Sequence, residues 1–416
     1  MLKTLSNALK VPELRSKLMY LLGTFLLYAF GMHIPVPGIN HEALESMFGT
    51  GTLFGMWDLF AGGSLRRFSV FALGIMPYIN ASIIFQLLTV VIPKLEELAK
   101  EGETGQKQIA QWTRYLTIIL GFVQAMGMYV MLSQGGVIEN PGIPHMLVII
   151  TTLVGGSAFL MWLGEEISQK GVGNGVSLII FIGIMASLPS QIANTIKAVS
   201  VNGNYFGAFI LVAVSLGTVA FIIFIHKGER KIPVQYAKRI VGRKVYGGQT
   251  TYLPLKVNSA GVIPIIFAVS ILMFPATLAQ FIPYEPIKMF AQQFQSTWLY
   301  NLAYFLMVFL FTFFYTAVVF NPKEIAERMK RHGGFILGIR PGKPTAEYLE
   351  RIMIRITFMG ALFLGTIAVM PSIVMGLTDL QTFQLGGTSI LIMVGVALDT
   401  VQHIEAQLLM RHYEGF

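Results

Sequence analysis

Residues 54–93 read FGMWDLFAGGSLRRFSVFALGIMPYINASIIFQLLTVVIP, and the fold turns on how that stretch meets a membrane. Its second part, Phe68 to Ile92, is uncharged and long enough to cross a bilayer as a helix. Pro77 lies in its first half, and Asn80, Ser82 and Gln86 are spaced along it. The part before it differs. Phe54–Phe60 is apolar but too short to span, holds Asp58, and runs into Gly62-Gly63 and the pair Arg66-Arg67. A short half-helix that breaks at glycines before a full span reads as a re-entrant segment. Irregular backbone at membrane depth needs protein or a water-filled cavity around it. An interfacial helix followed by a kinked, lipid-facing span fits the same residues, and physics alone weighs the two equally.

Composition sets the class. Of 416 residues, 54% are hydrophobic and 12% charged, about half the charge of a soluble domain. The expected fold is an all-α polytopic membrane protein. The chain has no cysteine, which excludes disulfides, Cys-ligated zinc and Cys nucleophiles. No cleavable signal peptide is read, because the polar-basic start leads straight into a full-length span.

Hydropathy divides the chain into ten spans. Residues 1–17 place Leu2, Leu5, Ala8 and Leu9 on one helical face and Lys3 and Lys10 on another, as in an amphipathic surface helix. The spans follow at about Leu18–Met32, Phe68–Ile92, Tyr115–Leu132, Met146–Gly164, Val176–Leu188, Phe206–Ile225, Val257–Phe281, Trp298–Phe320, Ile356–Met370 and Thr388–Leu409. An even count puts both termini on one side. With that layout, 26 of the 30 Lys and Arg fall on the side of the termini, and only Arg66, Arg67, Lys197 and Lys288 on the other. This asymmetry places the termini and two long basic loops, 227–256 and 321–355, in the cytoplasm.

Five spans in each half make the halves, 18–190 and 205–410, run in opposite directions. The second span of each half carries a proline, Pro77 and Pro264, read as an interruption. The fifth follows a glycine-rich turn, Gly171–Gly175 and Gly386-Gly387. Interrupted helices at matching positions of inverted repeats point to a site between the halves. Glycine and proline are common enough in membrane helices that chance agreement gives the same picture.

Enzyme signatures are absent. His41-Glu42 lacks the second His of HExxH, and neither GxSxG nor GxxxxGK occurs. Gly171–Gly175 follows no strand and reads as a tight turn. The histidines have no metal-ligand spacing, and no metal or other cofactor is expected. Glu165, Glu166, Asp399 and Glu405 sit near span ends, whereas ion relays need ionisable groups near the bilayer centre. The basic loops are too long for simple connectors and mix cations with Tyr, Phe, Pro and Gly. They suit docking of an acidic protein or of RNA; positive-inside charge in contact with anionic lipid accounts for the same cations.

Seven stretches, in order, carry a resemblance: ALGIMPYINASIIFQLLTVV, EGETGQKQIAQWTRY, FLMWLGEEISQKGVGNGVS, PLKVNSAGVIPIIFA, TAVVFNP, GIRPG and GGTSILI. They resemble the motifs of the bacterial SecY family, the channel subunits of the Sec protein translocon, over essentially the whole chain. The tail after His412-Tyr413 is shorter than the family pattern. The resemblance implies two inverted five-helix halves around a central hourglass pore. Such a pore passes unfolded secretory polypeptides across the membrane and releases hydrophobic segments sideways between spans 2/3 and 7/8.

Residue by residue, the resemblance implies a pore ring of Ile75, Ile79, Ile180, Ile266 and Ile392 with Ser270 beside it. Ile75/Ile79 and Ile266/Ser270 are i,i+4 pairs, each on one helix face. It implies a plug formed by Met56, Trp57, Asp58, Leu59, Phe60, Ala61, Gly62, Gly63, Ser64, Leu65, Arg66 and Arg67. It places Gln86 and Asn258 at the lateral gate, where polar groups in apolar surroundings bond across helices. It assigns Arg340 to SecA engagement, and Arg243 and Lys244 to SecA or ribosomal RNA. The implied partners are SecE and SecG, the SecA ATPase, the ribosome, the translocating polypeptide with its signal sequence, and the bilayer of the bacterial plasma membrane. SecA would hydrolyse the ATP, so the chain needs no nucleotide site. Against this stands a secondary transporter with inverted repeats, which calls for a polar cluster at mid-membrane where this chain has isoleucines. An intramembrane hydrolase lacks a nucleophile–base pair on facing spans.

Overall fold

The computed structural model describes residues 9–40, 42–44, 58, 61–138, 141–236, 239–241, 244–246, 250–279, 294, 298–378 and 387–414. The first half contains α1 (Pro12–Gly31), α2 (Met76–Val91), α3 (Pro93–Lys100), α4 (Glu103–Gln134), α5 (Ile143–Lys170) and α6 (Gly175–Asn202). The second contains α7 (Tyr205–Lys227), α8 (Ile263–Ala279), α9 (Trp298–Val319), α10 (Pro322–Arg331), α11 (Lys343–Thr378) and α12 (Gly387–Glu414). All except α3 and α10 fall on the ten expected spans. Seven are long and apolar enough to cross a membrane on length and composition alone; α1, α2 and α8 complete the ten. This is a multi-span membrane protein.

Two helices differ instructively from the sequence reading. Phe68–Ile75, expected as helix, is a run of turns, and α2 starts only at Met76. Pro77 therefore opens a helix instead of interrupting one, and Pro264 does the same as the second residue of α8. A proline has no N–H to lose in the first turn and a φ already suited to it. The two halves thus share a short helix that begins with proline after irregular backbone.

Other helices outrun their hydropathy. α1 begins at Pro12, inside the segment read as a separate surface helix, whose residues 1–8 lie outside the described residues. α11 has 36 residues, about 54 Å at 1.5 Å per residue, so its charged first turns project well beyond a ~30 Å hydrocarbon core. At the foot of α2 the chain turns by 102° into α3.

The halves meet at α6, whose C′ residue Gly203 is left-handed at φ 67 and leads straight to α7, capped by the Asn204 side chain accepting from the Gly207 N–H. Across the seam, α6 touches α12, and α8 touches both α2 and α4. One large apolar cluster runs through both halves, from Leu21 and Tyr28 of α1 to Ile392 and Val396 of α12.

The two basic loops are not separate protrusions. β1 (Glu229–Tyr236) pairs antiparallel with β4 (Thr250–Lys256) on one side and with β5 (Gly334–Ile336), from the other loop, on its second side. β2 (Arg239–Val241) and β3 (Lys244–Tyr246) form a hairpin beyond it. Ile232, Val234, Leu255 and Ile336 of the sheet bury themselves against Met329 of α10 and Leu349, Ile352 and Met353 of α11. The alternating burial of Ile232 and Val234 along β1 is the period-2 pattern of a one-faced strand.

Candidate functional site

The residues expected to form a ring come from four helices, and all are buried. Ile75 precedes α2 and accepts the Ile79 N–H at 3.1 Å, so both side chains face one way. α6 supplies Ile180, α8 supplies Ile266 and Ser270, and α12 supplies Ile392. All six residues are at most 6% exposed. The five isoleucines belong to the same apolar cluster, though they come from opposite halves and from positions up to 317 residues apart. At these positions the residues are buried, and all but Ser270 are aliphatic.

The segment expected as a plug is described at Asp58 and from Ala61 to Arg67; Met56, Trp57, Leu59 and Phe60 lie outside the described residues. Asp58 organises its tail. Its Oδ1 accepts the backbone N–H of Leu65 at 3.0 Å and of Arg66 at 2.9 Å, and its Oδ2 lies 4.0 Å from the Arg66 Nε. Arg67 instead reaches the Nε2 of His33. Because the other ring nitrogen of His33 sits 2.8 Å from the Ala29 carbonyl, that nitrogen carries the proton and Nε2 is the free acceptor. The Tyr28 hydroxyl donates to the Ala61 carbonyl at 3.4 Å.

Beyond Arg67, the chain is strapped to the proline turn after α1. The Val36 N–H donates to the Phe68 carbonyl, and the Val70 N–H to Ile34. Phe68, fully buried, pays for this with φ 44, a left-handed conformation that is strained for a bulky residue. On α5, Gly156 leaves room for Val70: a Cβ there would stand 2.0 Å from the Val70 carbonyl oxygen. The adjacent Ser157 donates its hydroxyl to Gly74 at 3.1 Å.

Gly62 fixes where the segment rests. Its φ is +69, and a Cβ would lie 2.8 Å from Cα and 2.9 Å from O of Gly183 on α6. Glycine meets glycine backbone to backbone, with no flexible side chain to give way. Gly62→Ala is expected to cost about 2 kcal/mol of seating energy through strain and overlap together. A cysteine at Ser64, fully buried here, should then become far more reactive to a polar thiol reagent. Equal reactivity in both backgrounds would show that the segment does not depend on that contact.

Gln86 and Asn258, the residues expected at a lateral gate, bond locally. The Gln86 Nε2 donates to Ser82 on its own helix at 3.2 Å, and the Asn258 Nδ2 donates to the Gly261 carbonyl at 3.1 Å. The cross-helix bonds expected for them are not what the structure contains. α2 and α8 touch, yet each of these two side chains keeps to its own chain segment.

On the face carrying the basic loops, Arg340 is exposed, while Lys244 begins β3; Arg243 lies outside the described residues. The loop around Arg340 is firmly built: its carbonyl accepts the Thr345 hydroxyl at 2.9 Å, and the Ile339 N–H donates to Ile336.

The carboxylates at the span ends are tied within halves. Glu165 holds Arg114 of α4 through two bonds of 2.9 and 2.8 Å. Glu166 pairs with Lys170 and accepts the Tyr20 hydroxyl of α1. Asp399 of α12 lies 3.1 Å from Nε2 of His226 on α7, close enough for an ion pair but out of line for a hydrogen bond. These braces, and the Gly156–Ser157 seat, were not assigned a role from the sequence. Two adjacent glutamates opposite a lone arginine at equal depth was the available signal for the first; the small run Gly155-Gly156-Ser157 was the signal for the second. Among the described residues no three His, Asp or Glu gather as metal ligands would.

Comparison with known proteins covers the same ground. A family profile described as SecY matches residues 69–401. A protein translocase subunit SecY from Halalkalibacterium halodurans is 47% identical over 430 residues, covering all of both chains. Among solved structures, one of a SecY protein has a TM-score of 0.65 at 19% identity, covering 96% of each chain; its plug domain is described as stabilising the closed state of the translocation channel and maintaining a membrane seal. Sec61 in a canine ribosome-channel complex from the endoplasmic reticulum has a TM-score of 0.61 at 17% identity, again covering 96% of each chain.

Proposed function

The chain belongs to the SecY family, and on that premise we propose that it is a passive protein-conducting channel, not an enzyme. It passes unfolded polypeptides between its halves and releases hydrophobic segments sideways at the seam of α2 and α4 with α8 and α9. The observation that supports this reading is that Ile75, Ile79, Ile180, Ile266 and Ile392, from both halves, are all buried in the one apolar cluster that crosses the seam. A ring of aliphatic side chains dewets and blocks ions, yet yields to a passing chain because only packing has to be displaced. Ser270 completes the ring. The segment from Met56 to Arg67 is the plug below it, seated on Gly183 and clipped by Asp58 and Tyr28. Gln86 and Asn258 flank the gate.

The driving partners are SecA and the ribosome, docking on the loops that carry Arg243, Lys244 and Arg340; SecE and SecG brace the chain within the membrane. Support for docking comes from the folding of both loops into one sheet with its own apolar core. The protein resides in the bacterial plasma membrane with both termini in the cytoplasm, a placement supported by the distribution of Lys and Arg.

The missing cysteines give a direct test. Single cysteines at Ile79 and Ile180 are expected to form disulfides with a stalled secretory chain carrying one cysteine. No crosslink at either site, with both reachable by small thiol reagents, would mean a pathway too narrow for a polypeptide and would favour a transporter of small solutes.

A further inference from the structure

The sheet built from the two basic loops has two faces, and one of them is covered. Strand alternation sends Ile232, Val234, Leu255 and Ile336 into the core against α10 and α11. The opposite face carries Pro233 of β1 with Tyr252 of β4 directly across from it, and Pro254 across from Lys231. Phe335 of β5 pairs with Gln235 on that same face. Leu337 follows β5 at once, and one further step of the β1–β5 register sets it level with Pro233. Tyr252 is 58% exposed and Leu337 is 64% exposed. Pro233 and Pro254 are exposed as well, and Phe335 is half-buried.

Most of the other exposed large apolar side chains lie on the spans, where lipid is their solvent. Tyr252 and Leu337 lie instead beside α10 and the charged first turns of α11, in loops holding 16 Lys and Arg against 5 Glu. Across three strands they stand about 10 Å apart. Cations edge the patch: Arg340 comes three residues after Leu337, and Lys256 two after Pro254, both exposed. An apolar centre with a charged rim is how protein interfaces are built, the centre giving up its water and the rim orienting the partner. RNA asks for something else, cations on phosphates and aromatic faces under bases. Prolines and a leucine give neither. Docking would use the face and not the edge of the sheet, because a proline in the outer strand β4 discourages strand addition.

We propose that this outer face docks a protein partner and no RNA, the partner offering an apolar cleft edged with carboxylates. The inference rests on the docking reading given above and divides what that reading leaves shared. Of the two driving partners, SecA takes the face, with Tyr252 and Leu337 as its anchors. The ribosome is held by the cations of the loops, such as Arg239 and Lys244 on the β2–β3 hairpin.

The test uses the full-length chain in its purified translocon, held in lipid nanodiscs, with SecA and non-translating ribosomes as the two probes. Tyr252→Ser and Leu337→Ser are each expected to raise the Kd for SecA about tenfold and to leave ribosome binding unchanged. Tyr252→Phe and Leu337→Met keep the apolar area and should bind SecA as the parent does. A sheet disturbed by the substitutions would weaken both probes, since both need the loops in place. SecA binding that is unchanged in either serine variant overturns the proposal, and so does a parallel loss of ribosome binding. A change in the mass of the complex with both affinities intact would also overturn it, giving the face to a second copy of the chain. Arg340→Glu separates two failures. If it weakens SecA binding while the serine variants do not, the loops still dock SecA and only the role of the face is lost. If all three variants bind SecA normally, the docking reading itself fails.

Discussion

Arg340→Glu is expected to abolish motor-driven export while the protein still folds and accumulates. The side chain is exposed, and the loop beneath it is held by bonds that do not involve the guanidinium: Thr345 to the Arg340 carbonyl, and the Ile339 N–H to Ile336. A surface substitution of that kind changes stability by about 0.5 kcal/mol or less. Its effect on docking is of another order. Arginine grips carboxylates with a two-pronged fork, and a glutamate in its place turns attraction into repulsion. Losing one partner of a buried interfacial charge pair costs roughly 2–5 kcal/mol, and reversal adds to that. ATP-driven uptake of a precursor into inverted vesicles should fall at least a hundredfold. Normal uptake at normal expression would remove Arg340 from the contact.

Deleting Met56–Arg67 should give the second large effect: a standing ion leak, with translocation retained. Ala61, Ser64 and Leu65 are nearly or fully buried, so this segment fills space that nothing else in the described structure occupies. The isoleucine ring alone is a single layer, and a single dewetted layer is the weaker barrier once the stopper beneath it is gone. Conductance in planar bilayers without substrate is the readout, and wild-type conductance from the deletion would sink the plug assignment. Transport should persist, because the basic loops proposed to dock the motor, 227–256 and 321–355, hold no residue of Met56–Arg67.

Much of this architecture was legible from local pattern. Ten apolar runs gave ten spans, and Ile75/Ile79 and Ile266/Ser270 gave faces at helical spacing. What escaped was decided by neighbours far away in the chain. Phe68–Ile75 is apolar enough for a helix, but its Phe68 carbonyl and Val70 N–H are claimed by Val36 and Ile34, and the Val70 carbonyl lies against Gly156. Hydropathy counts side chains and is blind to such rival bonding. The charged first turns of α11 looked like loop because helices outside lipid need no apolar run, only one buried stripe, here Leu349, Ile352 and Met353. The sheet was invisible for the same reason: β5 is three residues long and is a strand only because β1, about a hundred residues earlier, offers it an edge. Gln86 and Asn258 were expected to bond across a gate, yet each found a partner within four residues, Gln86 on its own helix and Asn258 in the turn before α8.

The sheet that joins the two loops also runs on into α8. β4 is locked to β1 along its length, the Val257 N–H still donates to the Gly228 carbonyl, and the Lys256 ammonium donates to Gln402 of α12 at 2.7 Å. Six residues of turn later, the same backbone is α8. The sheet is thus a handle fixed to α8, with Lys256–Val257 at the joint. On the channel reading proposed above, a partner that tilts the sheet would move α8 with it. Partners of quite different shape would then need only to turn the same crank.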